Sequence, residues 1–444
     1  MFTPRVESDQ VIPHPHRDVL PRNAANLDYP QGMISALANA PRQGVADALG
    51  TRIAPLRSVE LFAGGGGLLL GSSLAQIRHV AAVEWDQWCC DTLRQNIAER
   101  NPLVGNLRVI QQDIRSIDWL TEFGSDLDLV MGGPPCQPFS LGGLARGATD
   151  HRDMFPALTN AIAALAPRAF VVENVRGLTR STFADYFELT RLRLQYPEIH
   201  ARESEEWPDH LARLQRYHTS GSKELSLHYE VATMLVDAAD YGVPQRRHRV
   251  FIVGFRSDQQ ANWSAPTPTH SSAALRELQD NGEYWQRHGI RQKDQFPVVT
   301  TTGDPTLRPW VTIRDALIGL PKPGDRSVYN HAIRLGARTY PGHTGSPIDS
   351  PAKTLKAGDH GVPGGENMIA YPDGSVRYFT VREAARIQTF PDTYRLHGTW
   401  TEAMRQLGNA VPVRLAEIVV GSVASCLADA SLRDHLSTAF GQKY

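Results

Sequence analysis

Short apolar runs alternate with amphipathic segments over much of the chain, from about 58 to 255. Apolar runs of about four to eight residues, bounded by glycine, proline or charge, are typical of buried strands. Amphipathic segments between them predict helices. The strand candidates are a run that begins at Ser58, followed by 79–83, 107–110, 127–131, 169–172, 229–237 and 250–253. This alternation predicts an α/β protein with a doubly wound, Rossmann-like sheet.

The first strand candidate runs into four consecutive glycines, Gly64 to Gly67, and then into a helical segment. Such a turn presents free backbone N–H groups at the start of a helix, where they face a ligand. Gly64 and Gly66 match the dinucleotide fingerprint, but Leu69 occupies the place of its third glycine. Glu84 ends the next strand about 20 positions later, where an acidic residue accepts hydrogen bonds from ribose hydroxyls in such folds. These positions favour a site for an adenosine-containing cofactor.

Two residues at strand ends leave two interpretations open. Trp85 can stack on an adenine ring or pack inside the protein. Asp113 can accept a hydrogen bond from an exocyclic amine or cap the turn that follows it. Asp86 is expected to cap the helix at 87–99, a structural role.

The stretch from Gly132 to Ser140 reads GGPPCQPFS and follows the strand candidate at 127–131. Prolines fix φ and restrict the preceding residue, so the chain makes a stiff turn here. Cys136 is therefore held at the carboxyl end of a strand, where ligands bind in an open α/β sheet. A buried structural cysteine is the plain alternative, but the constraints on backbone direction favour a positioned nucleophile. The glycine-rich segment that follows, up to 152, suits a mobile lid, and an ordinary surface loop is the alternative.

Two further segments bring charge to the same edge of the sheet. Glu173 ends the strand candidate at 169–172, where burial would raise the pKa of its carboxyl and let it share a proton with a ring nitrogen. A helix cap or an ion pair is the alternative for Glu173. In the QRRHR motif at 245–249, alternate residues share one face, so Gln245, Arg247 and Arg249 point the same way. Two guanidinium groups on a half-buried face need an anionic or polar partner.

Changes of composition divide the chain into four parts. The predicted parts are an N-terminal extension at 1–56, a catalytic domain at 57–255, a smaller loop-rich domain at 256–375, and a C-terminal segment at 376–444 that completes the catalytic domain. The charged segment at 180–226 is predicted to be a helical surface insertion. Other local predictions are a helix at 33–49, strands at 298–302, 368–371 and 376–379, helix caps at Thr380 and Thr401, and an apolar helix at 414–427.

Composition and charge exclude several classes of protein. The chain has 46 Lys and Arg against 47 Asp and Glu, so any nucleic-acid interface must be a local basic patch. The four cysteines, at 89, 90, 136 and 426, show no paired metal-ligand spacing and are too few for a disulfide framework, so no metal site is expected. The first residues lack an apolar signal core, and no apolar run is expected to span a membrane. A working thiol fits the reducing cytoplasm.

Six motifs, in this order, resemble those of the DNA cytosine-5 methyltransferases of the bacterial modification type. They are ELFAG at 60–64, GPPCQ at 133–137, ENV at 173–175, QRRHR at 245–249, REAAR at 382–386 and GNAV at 408–411. The resemblance covers about 58–255 and 376–427. It implies a Rossmann-like S-adenosylmethionine-dependent catalytic domain, with the loop-rich part at 256–375 as a target-recognition domain that reads duplex DNA.

The resemblance also implies roles for individual residues. The expected cofactor-binding residues are Phe62, Ala63, Gly64, Gly66, Glu84, Trp85, Asp113, Ile114, Pro134, Asn409 and Val411; the expected catalytic residues are Cys136, Glu173, Gln245, Arg247 and Arg249. The Cys136 thiolate would add to C6 of a flipped cytosine and activate C5. Glu173 would stabilise a proton at N3, and Arg247 and Arg249 would hold the O2 side of the ring.

Three other functions compete with DNA cytosine-5 methylation. A tRNA cytosine-5 methyltransferase would share the scaffold, but the substantial segment at 256–375 favours duplex DNA. A catalytically silent DNA-binding relative is disfavoured by the intact Cys136 and Glu173. A nicotinamide-dependent oxidoreductase is disfavoured by the missing third glycine. The expected partners are duplex DNA and, for a monomeric modification enzyme, a companion restriction endonuclease or other defence-system proteins.

Overall fold

Seven strands form the central sheet in the order β3-β2-β1-β4-β5-β7-β6. The computed structural model describes residues 55–135, 153–221, 225–297, 301–357 and 365–440. The helix predicted at 33–49, Cys136 and the predicted lid therefore lie outside the described residues. The strands of the central sheet are β1 (Arg57–Leu61), β2 (Arg78–Glu84), β3 (Arg108–Gln111), β4 (Leu129–Gly132), β5 (Ala169–Val175), β6 (Tyr229–Asp237) and β7 (His248–Arg256).

Pairing within this sheet is parallel except at β7, which runs antiparallel to β5 and β6. Apolar residues make up most of the inner strands, as expected for strands covered on both faces. The helices that cover the sheet or follow it are α1 (Gly67–Leu74), α2 (Gln87–Ala98), α3 (Trp119–Phe123), α4 (Phe155–Leu165), α5 (Ala184–Gln195) and α6 (Trp207–Ser220). The predicted α/β class is confirmed.

The sheet buries a different set of side chains on each face. On one face, Val59, Val130 and Phe170 pack with residues of α4 and α5. On the other face, Met131 and Val171 pack with apolar residues from the C-terminal part of the chain. The strands thus form the middle of three layers, and the C-terminal helix supplies part of one outer layer.

That C-terminal helix is α12 (Val413–Phe440), which follows α10 (Val381–Ile387) and α11 (Trp400–Asn409). It is longer than the predicted helix at 414–427. Its first turns contact α1 so closely that a Cβ atom on Gly71 would lie 2.4 Å from the carbonyl oxygen of Val413 and 2.4 Å from the Cβ of Ala416. Glycine is therefore required at this contact. The start of α1, and with it the glycine turn, is held by residues from the far end of the chain.

The stretch from Trp400 to Ser431 is long and apolar enough to cross a membrane by length and composition alone, which the sequence interpretation did not anticipate. Leu415, Val419 and Val423 of this stretch are fully buried in the fold. Packing against α1 and the sheet accounts for their apolar character.

The prediction that 180–226 is a surface insertion is wrong for its first half. Leu189 and Leu192 of α5 are fully buried and belong to the cluster beneath the sheet. Helix α6 packs on α5 through Leu211 and Leu214. The charges that disguised this burial are paired locally, since Arg191 lies 2.7 Å from Glu188. The segment is a structural layer of the catalytic part.

The region between β7 and α10 contains only short regular elements among its described residues. They are α7 (Ser272–Asp280), α8 (Glu283–His288), α9 (Ile313–Ala316), and the strands β8 (His270–Ser271), β9 (Arg308–Pro309), β10 (Ser346–Pro347), β11 (Met368–Ala370) and β12 (Val376–Tyr378). Residues 301 and 302 form no strand, contrary to the prediction at 298–302, whose first three residues lie outside the described ranges. One buried cluster joins Leu355 and Ile369 of this region to Phe379 and Leu407 of the C-terminal part.

Two threonine caps behave differently from each other. Thr380 caps α10 as predicted and forms a reciprocal pair of hydrogen bonds with Glu383. The predicted cap at Thr401 is wrong, because Thr399 accepts from the backbone N–H of Glu402 and begins α11 two residues earlier. Thr399 and Thr401 lie on either side of Trp400, so residue type alone could not decide which of them caps the helix.

Candidate active site

The glycine turn and the Pro-Pro turn leave neighbouring strands at the same edge of the sheet. Leu61, the last residue of β1, is the parallel partner of Gly132, the last residue of β4. The strand order reverses between these two strands, with β2 and β3 on one side and β5 on the other. In an open α/β sheet, ligands bind in the crevice at such a switch point. The two motifs that sequence singled out therefore face one crevice.

The glycine turn is held by Glu84. One carboxylate oxygen of Glu84 accepts from the backbone N–H of Gly64 at 2.7 Å, and the other accepts from Trp85 and Asp86 at 2.8 and 2.9 Å. Burial raises the pKa of this carboxyl, while the three backbone hydrogen bonds partly offset that rise. The oxygen that accepts from Gly64 makes only this one bond and keeps a lone-pair site free, whereas the other oxygen already accepts two bonds. Glu84 can thus hold the turn and accept from a ligand hydroxyl at the same time.

Gly64 lines an open cradle. Its φ is +54°, and no atom lies within 4 Å of the place where a Cβ would sit. Phe62 just before it also has a positive φ, 56°, and its ring is partly buried. Ala63 is buried, and its backbone N–H donates to Val83 at 3.2 Å. The chain is therefore bent back sharply over the end of β1, with free space on the ligand side.

Trp85 and Asp113 border this cradle at the ends of β2 and β3. The Trp85 side chain is 71% exposed, which rules out the interpretation as a core residue. Asp113 caps the turn that follows β3, and it also pairs with Arg115 at 2.5 Å. The capping role that the sequence left open is thus present. Ile114 is buried beneath the sheet.

The GNAV segment closes the other side of the glycine turn. A Cβ atom on Gly67 would lie only 2.2 Å from the carbonyl oxygen of Val411, so the two backbones are in direct contact. Val411 is buried, whereas Asn409 is exposed. Tyr394 contacts the same turn, because its hydroxyl donates to the carbonyl of Gly65 at 3.0 Å.

The Pro-Pro turn is fixed by Asn174. The side-chain amide of Asn174 donates to the carbonyl of Pro134 at 3.1 Å, and its own carbonyl accepts from the backbone N–H of Val175. Asn174 is 2% exposed, so this bond forms in a site without competing water. Pro134 is buried and Pro135 is exposed. The described chain stops at Pro135, one residue before Cys136.

Glu173 and Arg249 form a buried ion pair beside this turn. The Nε of Arg249 lies 2.5 Å from one carboxylate oxygen of Glu173, and both side chains are 9% exposed. The second oxygen of Glu173 is 3.0 Å from where a Cβ on Gly133 would sit. Burial raises the pKa of Glu173, against the opposing effect of Arg249 and Arg247. Burial therefore favours the protonated form of Glu173 more than it would for an exposed carboxyl.

The expected alternation in the QRRHR motif is present. Gln245 and Arg247 are fully buried and Arg249 is nearly so, whereas Arg246 and His248 are partly exposed. Arg247 does not reach Glu173 directly. Its guanidinium donates to backbone carbonyls of Leu355, Gly408 and Ala410, at 3.2, 2.7 and 2.9 Å.

The described candidate residues therefore lie at two adjoining sites. One is a cradle around the glycine turn, with Glu84, Trp85 and Asp113 at its rim. The other is a polar cleft at Pro134, Glu173 and Arg249. Among the described residues, no group of three or more His, Cys, Asp or Glu side chains could hold a metal ion. Fold and site define a Rossmann-like α/β protein with room for an adenosine-containing cofactor beside a polar cleft.

Sequence reasoning missed two residues of this site. Asn174 stands in the same ENV motif as Glu173, so its position was a usable signal for a supporting role. Tyr394 is 329 positions from Gly65 and lies in no motif, so nothing local could have pointed to it.

Comparison with known proteins identifies the family. The model of the C-5 cytosine-specific DNA methylase family matches residues 56–192 and 219–425. The unmatched residues between these ranges cover the end of α5 and nearly all of α6. The match spans most of the chain, so this protein belongs to the C-5 cytosine-specific DNA methylase family. It is a DNA (cytosine-5)-methyltransferase, and its methyl donor is S-adenosylmethionine.

Curated relatives are similar over most of their length. Type II methyltransferase M.AplI of Arthrospira platensis is 31% identical over 311 residues, 69% of this chain and 72% of the relative. Type II methyltransferase M.DdeI of Desulfomicrobium norvegicum is 28% identical over 408 residues, 82% of this chain and 88% of the relative. The predicted family is confirmed by these matches.

Solved structures share the fold. A protein described as a DNA modification methyltransferase encoded within an Escherichia coli prophage superposes with a TM-score of 0.53 at 21% identity, over 84% of this chain and 99% of that one. The S. pombe Dnmt2 methyltransferase superposes with a TM-score of 0.50 at 17% identity, over 85% and 99%. At these identities the likeness supports the α/β architecture alone.

Proposed function

We propose that this enzyme methylates carbon 5 of a cytosine that is flipped out of a specific duplex DNA sequence, through a covalent adduct of Cys136. The observation that carries the proposal is the buried pair of Glu173 and Arg249, which lies beside the turn that leads into Cys136. An ion pair withdrawn from water costs several kcal/mol in desolvation, so its position beside the turn that precedes Cys136 calls for a functional reason.

The chemistry assigns one task to each group. The Cys136 thiolate bonds to C6, while a proton held by Glu173 moves to N3, which shifts electron density to C5. S-adenosylmethionine, when bound, supplies the electrophilic methyl group that C5 accepts. Water in the cleft then accepts the proton from C5, the C5–C6 double bond re-forms, and the thiolate leaves as N3 returns its proton to Glu173. Arg249 holds the carboxyl of Glu173 in place and donates to the O2 side of the ring.

Asn174 supports this scheme as a positioning residue. Its bond to Pro134 fixes the direction in which the chain enters Cys136. A nucleophile must lie within about 3–3.5 Å of the carbon it attacks, and small misplacements are costly in rate. Base flipping costs a few kcal/mol, which contacts in the closed complex must offset.

For the methyl donor, the proposal places the ribose against Glu84 and the adenine between Trp85 and Asp113. The open space at Gly64 fits a ligand that approaches the backbone, and Glu84 keeps acceptor capacity for a hydroxyl. Trp85 offers an exposed ring for stacking. Phe62, Pro134 and Val411 would supply apolar walls.

Target recognition is assigned to the region at 256–375, and the cellular role to host DNA modification. Type II methyltransferases are named among the relatives, and a modification role in a restriction-modification system follows from that likeness. The enzyme would act as a monomer with a companion restriction endonuclease as its partner. It would lie in the cytoplasm, where DNA and a reduced thiol coexist. Bisulfite sequencing of DNA from a host that expresses the protein would identify the methylated sequence.

A mechanism-based trap tests the proposal. A duplex that contains 5-fluorocytosine at the target position should form a stable covalent complex in the presence of S-adenosylmethionine, because fluorine cannot leave C5 as a proton does. Cys136→Ala should form no complex and should still bind the duplex. Labelled tRNA provides the competing substrate: methylation of tRNA in place of duplex DNA would overturn the substrate assignment, and a trap that survives Cys136→Ala would overturn the mechanism.

A further inference from the structure

Arg247 joins three segments of the chain that are remote in sequence. Its Nη1 donates to the carbonyl of Leu355 at 3.2 Å and to Oε1 of Gln245 at 3.4 Å. Its Nη2 donates to the carbonyls of Gly408 and Ala410 at 2.7 and 2.9 Å. The side chain is fully buried. Each terminal nitrogen of a guanidinium carries two N–H groups, so all four terminal N–H groups of Arg247 have acceptors within the protein.

This arrangement leaves no terminal donor of Arg247 for a cytosine. For a terminal nitrogen to reach the base, Arg247 would have to release buried backbone carbonyls, each of which costs about 1–3 kcal/mol when left unsatisfied. The remaining donor of Arg247, its Nε, is buried and has no hydrogen-bond partner among the described residues. Arg249 differs, because its guanidinium lies at the cleft beside Glu173. The two arginines that sequence placed on one face of a strand therefore have different surroundings.

Leu355 belongs to a segment at 352–357 that docks on the QRRHR motif like an added strand. Arg246 donates through its backbone N–H to Ala352 at 2.7 Å, and Ala352 donates to Pro244 at 2.9 Å. The hydroxyl of Thr354 donates to the carbonyl of Arg246 at 2.7 Å, and the N–H of Leu355 donates to Oε1 of Gln245 at 3.2 Å. The segment is thus fixed to the catalytic part by its backbone.

The same segment touches the GNAV motif. A Cβ atom on Gly408 would lie 2.3 Å from the backbone nitrogen of Ala357, so glycine is needed for this contact. Gly408 and Ala410 precede Val411, which packs against the glycine turn. Arg247 therefore connects the region at 256–375 on one side with the wall of the cofactor cradle on the other.

We propose that Arg247 is a positioning residue that couples the recognition region to the cofactor site, and that it does not contact the cytosine. The part of this inference that concerns target recognition rests on the proposed function, whereas the part that concerns donor binding does not. Two consequences follow from the hydrogen bonds. Without Arg247, Gly408 and Ala410 lose their anchor and the methyl donor binds less tightly. Leu355 also loses its anchor, so correct and incorrect targets are discriminated less well.

The test measures donor binding in the absence of DNA. S-adenosylmethionine is titrated calorimetrically into wild type, Arg247→Met and Arg247→Lys. We expect the donor Kd to rise at least about tenfold in Arg247→Met, since at least two buried hydrogen bonds to a charged group are lost. Arg247→Lys should recover part of this loss, because an ammonium can satisfy some of the carbonyls but lacks the planar fork.

Arg168 provides a matched control at the opposite end of the sheet. Its guanidinium also ties remote segments together, through Gln259, Asp128, Leu427 and Ser431. Arg168→Lys should lower the unfolding temperature and leave the donor Kd of the folded protein within twofold of wild type. An equal change of donor Kd in both variants would show a general loss of structure and would overturn the inference.

Thr354→Val tests the effect on target recognition alone, and it remains informative if Arg247→Met does not fold. This nearly isosteric change removes only the hydrogen bond to Arg246. We expect an unchanged donor Kd, together with a fall of at least about threefold in the ratio of kcat/KM between the methylated sequence and a one-base variant. An unchanged ratio would overturn the coupling of recognition.

Arg249→Lys supplies the pattern expected of a base contact: a lower kcat with an unchanged donor Kd in the absence of DNA. If Arg247→Lys shows that same pattern, Arg247 acts at the cytosine and the inference is wrong. A failed 5-fluorocytosine trap together with a raised donor Kd in Arg247→Lys would sink the proposed mechanism and leave the donor-site role of Arg247 standing.

Discussion

Replacing Glu84 by glutamine should weaken methyl-donor binding in two separable ways. In the wild type, one carboxylate oxygen accepts from Gly64 and the other from Trp85 and Asp86. The amide can keep the oxygen that serves Trp85 and Asp86, but its NH₂ group then faces the N–H of Gly64. A hydrogen bond to a charged acceptor contributes about 1.5–3 kcal/mol. We therefore expect the donor Kd to rise by about 10- to 100-fold, since 1.4 kcal/mol corresponds to tenfold.

The second contribution is the hydrogen bond proposed between Glu84 and the ribose. Calorimetric titration of S-adenosylhomocysteine and of its 2′-deoxyribose analogue into both proteins forms a double-mutant cycle. The hydroxyl should matter more to wild type than to Glu84→Gln, while a loss from the displaced turn should remain with either ligand. Strictly additive effects would show that Glu84 does not meet the ribose hydroxyl, and an unchanged Kd for the parent ligand would refute the role of Glu84 in the turn.

Glu60→Gln offers a contrasting control near the same turn. Glu60 is fully buried, and burial raises the pKa of its carboxyl well above the usual value. Because burial disfavours the charged form of Glu60, a neutral amide suits this position. We expect the donor Kd of this variant to stay within about threefold of wild type. A loss as large as that of Glu84→Gln would mean that any change in this neighbourhood disturbs the turn.

Three further predictions follow from the site and its supports. Gly64→Ala should fold, at a cost of about 1–2 kcal/mol for its positive φ, but should lose donor binding in calorimetry. Gly67→Ala should unfold at a lower temperature than wild type, because its Cβ would meet the Val411 carbonyl. A stable Gly67→Ala variant together with an unfolded Gly64→Ala variant would contradict the packing described here. Asn174→Asp turns a carboxylate toward the Pro134 carbonyl, so turnover should fall about 100-fold with duplex binding kept in a filter assay; equal losses in both would contradict a positioning role. Burial lowers the pKa of His79 to about 4, below its usual 6.5. The neutral ring therefore contributes to the free energy of unfolding in full above pH 6.5, and this contribution, at most about 3 kcal/mol, is lost as pH falls toward 4. Urea unfolding at several pH values should show this loss in wild type and a weaker pH dependence in His79→Gln, and the same pH dependence in both would contradict the prediction.

Strand-end chemistry was predictable because its signals are local. Glycine, proline and a carboxylate at the end of an apolar run can be recognised without knowledge of the rest of the chain. Glu84, Glu173 and the alternation in QRRHR were placed correctly at one edge of the sheet on that basis. Their assigned roles toward cofactor and cytosine stay predictions.

Contacts between remote segments were not predictable. The acceptors of Arg247 are backbone carbonyls, which every residue has, so no side-chain pattern marks Leu355 or Gly408 as their source. Helix α5 was misread for a related reason. Its leucines at 189 and 192 are interleaved with Arg191 and Arg193, which suggested a solvated face. Arg191 pairs with Glu188 and Arg193 donates to His210, so neither charge prevents burial of the leucines.

The dependence of the glycine turn on late segments bears on how the enzyme is made by the ribosome. Tyr394 meets Gly65 across 329 positions, and Val411 closes on Gly67 from still further along the chain. A nascent chain must therefore display most of its sheet before the pocket for the methyl donor can be closed. Prematurely terminated products that stop short of this closure would be unable to retain the donor, and so could not methylate DNA even though they already contain Cys136.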